Sequence, residues 1–212
     1  MKIKTLCCVS AILFGGQSAL ATENVVDKTV PTCDYTKLTI DVPATVKLVA
    51  KGELAGHVKG INKELDTLKY TCADGEFKID SEPQISPTKA FVFEFANGSI
   101  SSVTLNGAQQ ADISELTAKS FTLVLNGASN SLLHGKVGDF NVRLNGSGQV
   151  EASELTSQKA KIDVNGSGLV RLNVDSELKG LVNGSGRIEY LGHPQSRDTN
   201  VIGSGSIVAQ TN

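Results

Sequence analysis

From Ser101 onward the chain alternates apolar and polar residues with a period of two, and the alternation breaks at regular places. One residue before each break stands Leu105, Leu125, Leu144, Val164 or Val182; three before, Val103, Leu123, Val142, Ile162 or Gly180; five before, Ser101, Phe121, Phe140, Ala160 or Leu178. That is the pattern of a strand with one buried face. Beyond the break the alternation resumes with Ala111, Ser131, Val150, Val170 and Ile188, then with Ile113, Leu133, Ala152, Leu172 and Tyr190. The breaks begin at Asn106, Asn126, Asn145, Asn165 and Asn183, and Ile202 opens a degenerate sixth copy. Their spacings are 20, 19, 20, 18 and 19 residues.

A period of about 19 residues, holding two short strands hinged at NGSG and a third segment such as ASELTSQK, fits one coil of a β-solenoid. Equivalent strands of successive coils then stack in parallel, about 4.8 Å apart. A hairpin repeat is the rival, because Asn-Gly is a strong two-residue turn signal. Hairpins would alternate strand direction, and nothing would hold them to one register. The expectation is therefore an all-β parallel solenoid. Its corners need residues that tolerate positive φ, which Gly adopts without steric cost and Asn better than most. Asn106, Asn126, Asn145, Asn165 and Asn183 are read as a structural turn and hydrogen-bonded ladder. So are the glycines of the same corners: Gly146, Gly148, Gly166, Gly168, Gly184, Gly186, Gly203 and Gly205. The N-G-S triplets at Asn97, Asn145, Asn165 and Asn183 also match a glycosylation sequon, but the repeat accounts for them.

Upstream, residues 36–95 lack the repeat yet still read as β: TKLTIDV, TVKLVAK, GHVKGI, LKYTC, EFKIDS and AFVFEFA are short alternating runs. KELDTLK is one helical turn or a loop, and Ser81 to Lys89, with Pro83 and Pro87, is a break. These strands are expected to cap or extend the solenoid, whose open end would otherwise expose core and unpaired backbone. AFVFEFA is expected to lead into the first coil at Val103.

At the amino end, Lys2 and Lys4 precede the apolar run Leu6 to Phe14, and Ala19-Leu20-Ala21 offers a cleavage site before Thr22. Residues 1–21 are read as a signal peptide, too short in its apolar run for a membrane span. Cys7 and Cys8 lie too early for a lipoprotein signal. The expected organisation is a signal peptide (1–21), a linker (22–35), one domain (36–209) and a tail (210–212). Export to the periplasm, cell surface or medium follows. Losing Lys2 and Lys4 leaves 18 basic against 22 acidic residues, a net charge of −4. That balance gives no reason to expect nucleic acid, which needs a basic face. No second apolar run suggests a transmembrane segment in the mature chain. Cys33 and Cys72 survive processing and form a candidate disulfide in an oxidising compartment, the alternative being two separate thiols.

The copies LNGSGQV, VNGSGLV, VNGSGRI and IGSGSI, with TKLTIDVPATVKLVAKGE, LKYTCADGEFKIDSE and SSVTLNGAQQADI upstream, resemble the head GIN domain of the "putative autotransporter adhesin" family, a domain of unknown function. The resemblance spans residues 36–209. It implies a right-handed β-solenoid and a cell-envelope or secreted location, and brings no catalytic residues with it. No translocator pattern follows the last copy, so the expectation is a head alone.

The residues point to no reaction. His57, His134 and His193 share no ligand spacing, and no HExxH, CxxC or G-x-S-x-G motif occurs. The GSG copies lack the Lys-Ser/Thr of a phosphate loop, and the repeats lack the Asp of calcium-binding rolls. No metal or cofactor is expected. Outward columns alternate in sign, Glu151, Arg171, Glu189 in one and Arg143, Asp163 in the other, which reads as sheet-stabilising pairing or as a polar binding face. Three functions remain open: binding of a surface glycan or protein, a self-associating scaffold, and a glycan-active enzyme. The first is favoured.

Overall fold

The computed structural model describes residues 24–31, 33–82 and 86–210. The signal peptide assigned to residues 1–21 lies outside them, as do the last two residues of the tail. The chain is 72% strand and 2% helix, wound into a parallel β-solenoid of about five turns.

The first half runs β1 (Val25–Thr29), β2 (Lys37–Ile40), β3 (Ala44–Val49), β4 (Ala55–Ile61), helix α1 (Asn62–Leu65), β5 (Leu68–Ala73), β6 (Glu76–Ser81) and β7 (Phe91–Ala96). The repeats follow as β8 (Ser102–Gly107), β9 (Gln110–Gly127), β10 (Asn130–Gly146), β11 (Gln149–Gly166), β12 (Leu169–Gly184), β13 (Arg187–Leu191), β14 (Ser196–Ile202) and β15 (Ser206–Ala209). Strands β9 to β12 pair in parallel, with Asn126, Asn145, Asn165 and Asn183 in one register row. Val142 and Ile162 are buried, and Arg143 and Lys161 are exposed, so the inward and outward columns fall where the alternation puts them.

The amino-terminal strands extend the solenoid in an order the chain does not follow. Strand β2 lies between β6 and β8, and β3 between β7 and β9, all in parallel. The coil 37–49 is thus inserted between the coil 76–96 and the first repeat. AFVFEFA leads along the chain into the first repeat, as expected, but stacks on β3 and not directly on that repeat. The physical reason is edge satisfaction: β2 and β3 each have two free edges, and both are paired.

Antiparallel strands close this end. Strand β4 pairs with β7, β1 with β4, and β5 with β6. Residues 22–35, read as a linker, therefore contain a sheet strand, because β4 presents an edge that β1 covers. KELDTLK forms a single helical turn, Asn62–Leu65, anchored by buried Leu65. The core is one continuous cluster from Val30 to Tyr190. Phe77, Phe91, Phe93, Phe121 and Phe140 are its largest fully buried side chains. Among the described residues, no helix is long and apolar enough to cross a membrane.

Candidate functional site

The corners show what the repeated Asn-Gly does. Asn126 Nδ2 donates to Asn106 Oδ1 at 2.7 Å, Asn145 to Asn126 at 2.7 Å, and Asn165 to Asn145 at 3.0 Å. Asn106 donates in turn to a carboxylate oxygen of Asp41. Asn183 is in register with Asn165 but exposed. The glycine after each Asn, and Gly203 after Ile202, has φ between +117° and +136°. At Gly146 a Cβ would also lie 2.1 Å from the Gly127 carbonyl oxygen of the coil before, so both conformation and contact demand glycine. Two residues further on, Gly148, Gly168, Gly186 and Gly205 form a second close column; a Cβ on Gly168 would meet Leu144 Cδ2 at 2.1 Å.

In the first two copies this second column holds Gln109 and Ser129, both buried. Gln109 Nε2 donates to the carbonyls of Ile40, Val42 and Asn106, and Ser129 Oγ donates to Gln109 Oε1 at 2.7 Å. The two side chains tie the first repeat to the coil 37–49. Cys33 and Cys72 form a disulfide joining the segment after β1 to β5.

These corner residues are spent on the fold, which leaves the outward columns for other molecules. On the face built by β3 and the first halves of β9, β10 and β11, a groove of about 540 Å³ is lined by Gln110, Asn130, Gln149, Asp112, Glu151 and Leu132, among others. Leu132 is 39% exposed there. Amides and carboxylates in rows one strand apart can donate to and accept from successive hydroxyls or backbone groups, and Leu132 gives an apolar patch between them. Downstream in the same column, Arg171 bonds Glu151 at 3.2 Å and Glu189 at 2.7 Å. Burial pushes the Glu151 carboxyl up, but hydrogen bonds from Ser153 and Arg171 outweigh it and hold the carboxyl below its ordinary range. Hydrogen bonds to Glu189 and Glu151 raise the Arg171 guanidinium further. A second outward face, on the later halves of β11 and β12, carries Lys159 and Lys179 on either side of Glu177.

The histidines stay apart: His134 faces Glu154 at 3.0 Å, His57 faces Asp27 at 3.4 Å, and His193 lies at the far end. Among the described residues, no three His, Cys, Asp or Glu side chains gather as metal ligands would. Sequence reasoning missed Asp41, Gln109 and Ser129. Their only signal was position, since each stands in a column whose later members are Asn or Gly.

The class defined by this geometry is a parallel β-solenoid with an amide-and-glycine corner and polar outer faces. The chain belongs to the family described as "putative auto-transporter adhesin, head GIN domain", which matches residues 34–194. Three solved structures share the fold. A "putative adhesin" from Bacteroides fragilis is 13% identical with a TM-score of 0.71, over 89% of this chain and 98% of that one. A "putative adhesin" from Parabacteroides merdae is 12% identical with a TM-score of 0.57, over 90% and 98%. A "putative lipid binding protein" from Parabacteroides distasonis is 18% identical with a TM-score of 0.56, over 90% and 98%. No curated protein sequence matches the chain.

Proposed function

We propose that this chain is an exported, non-enzymatic binding module of the bacterial cell envelope, in which a rigid solenoid presents its outer face to a surface glycan or protein. On this reading, residues 1–21 direct export, 36–209 form the binding domain, and the Asn and Gly corners keep its columns in register without touching ligand. The observation that carries the reading is the groove of Gln110, Asn130, Gln149, Asp112 and Leu132, bounded by Glu151, where the ion-paired column of Arg171 and Glu189 begins. Family membership supports an adhesive role. The test is a glycan and extracellular-matrix array with the purified protein, run beside light scattering. A saturable hit on a monomer, lost in Asn130→Ala with Gln149→Ala, is expected. Saturable binding untouched by that pair would move the site off this groove.

A second reading, a scaffold that self-associates, is favoured by β14, whose seven residues are all exposed and which ends in Val201 at 38% and Ile202 at 54% exposure. It predicts discrete oligomers and no hit on the array.

A further inference from the structure

At the carboxyl end, two core columns change character together. The column Ala152, Leu172 continues as Tyr190, and the column Phe140, Ala160, Leu178 continues as Arg197. Arg197 is exposed but stands in the register of the inward column, and an arginine there is one way to blunt an exposed sheet edge. Here it does more than that. Arg197 Nη1 donates to the Tyr190 hydroxyl at 3.1 Å, and Tyr190 itself is only 6% exposed. Both residues line a cavity of about 560 Å³, together with Leu191, His193, Pro194, Ala209 and Gln210. That volume is in the range of small-molecule sites, roughly 300–1,000 Å³.

The cavity's charge is unbalanced. Among the described residues its lining contains no carboxylate. Asp198 alternates to the opposite face, beside Lys179. Among the described residues Arg197 makes no ion pair. Its bond to Tyr190 uses one of five guanidinium N–H groups and fixes the fork. With the Tyr190 oxygen accepting from Arg197, the hydroxyl proton is left to donate. The guanidinium fork and the phenol hydroxyl thus lie side by side, and Leu191, Pro194 and Ala209 give the same cavity an apolar part. That combination suits a carboxylate on a compact body better than a point anion.

We propose that the carboxyl-terminal cup is a binding site for a carboxylate carried on a ring-sized body, as in an acidic sugar or an aromatic acid, with Arg197 and Tyr190 holding the carboxylate. The site lies beyond the outer groove and is independent of the function assigned to it. The test is calorimetric titration of the purified protein with four probes: glucuronate, benzoate, glucose and sulfate. One saturable site for glucuronate, benzoate or both is expected, and no heat from glucose. Which acid binds identifies the source of the carboxylate. Arg197→Gln is expected to weaken binding by at least about tenfold, and Arg197→Lys nearly as much, because the charge survives but the fork does not. Tyr190→Phe is expected to weaken it several-fold. Lys119→Gln, on another face, is expected to leave it unchanged. Thermal melts of each variant show whether the fold is intact, and Arg197→Lys keeps the test open if the Gln variant unfolds. The proposal is overturned if neither acid saturates, if sulfate matches them, or if a folded Arg197 variant binds as the wild type does. In the last case Arg197 is an edge cap and nothing more. A failed array with intact carboxylate binding would remove the outer-groove reading and leave this one standing.

Discussion

Gly146→Ala tests the stacking of coils at one of its tightest points. Gly146 has φ +136°, and an added Cβ would sit 2.1 Å from the carbonyl oxygen of Gly127 and 2.9 Å from its carbon. That carbonyl cannot simply turn aside, because it accepts the hydrogen bond of Ser147 N at 3.0 Å. The coil must open at this corner, which also strains the bond from Gln149 N to Ser129 O at 3.1 Å. The forced backbone costs on the order of 1–2 kcal/mol. Two lost hydrogen bonds add about 1 kcal/mol each. The expected loss is about 3–4 kcal/mol. Gly52→Ala is the control: φ is +79°, but nothing lies within 4 Å of the added methyl. It should lose only the conformational part, about 1–2 kcal/mol. Urea denaturation followed by far-ultraviolet circular dichroism measures both, provided the slopes agree. Equal losses in the two variants, within about 0.5 kcal/mol, would refute the idea that coil contact, and not local backbone preference, demands glycine here.

Three further outcomes are expected. Val142→Asp or Ile162→Asp should abolish cooperative unfolding, since both sites are at most 2% exposed, while Arg143→Ser and Lys161→Ser should shift the midpoint by under about 0.5 kcal/mol; the same denaturation assay reads all four. Asn145→Ala removes two rungs of the ladder at once, leaving the Asn126 oxygen and the Asn165 amide without their partner, and should cost about 1–2 kcal/mol by thermal melt. Glu151 has a folded-state pKa below its ordinary 4.5, so its contribution is present above that value and is lost as pH falls through the folded one; Glu151→Gln should flatten the drop in Tm seen on acidification below about pH 4.5.

The repeats were legible because every coil spends the same residue types on the same tasks. Leu144 before the corner and Val150 after it face inward in any parallel stack of that period. The coil 37–49 was not legible as a copy. Asp41-Val42-Pro43-Ala44 occupies the place of Asn106-Gly107-Ala108-Gln109, bracketed by Ile40 opposite Leu105 and Thr45 opposite Gln110, yet shares no residue with it. In that corner Val42 stands where the repeats have glycine and Pro43 follows it, and no local pattern reveals the substitution. Nor does alternation reveal that this coil sits between two later segments. Stacking order depends on which edges find partners, and that is a property of the whole sheet. The outer groove was only half legible: Asp112, Leu132 and Glu151 are visible as one outward column, but not the depth that Gln110, Asn130 and Gln149 add beside it.

The ladder has a direction, and its ends explain it. An ionised Asp41 can only accept, so Asn106 must turn its amide nitrogen toward it and its oxygen toward the next coil. Asn126, Asn145 and Asn165 inherit that orientation in turn, each donating backward. Lys78 lies 2.9 Å from the other Asp41 oxygen, which leaves the first oxygen to Asn106. At the opposite end the row passes from Asn183 to Ile202, which has no hydrogen-bonding group to carry it on. The same last coil replaces Leu178 with Arg197 in the core column. The amide chain thus starts at a carboxylate in the coil 37–49, and in the last coil its row holds an apolar side chain while Arg197 continues the Leu178 column. The two ends are chemically distinct surfaces. Among the described residues, only the carboxyl-terminal one leaves a cationic fork beside an open cavity, which is why binding chemistry at the ends is expected there and not at the strand-covered amino end.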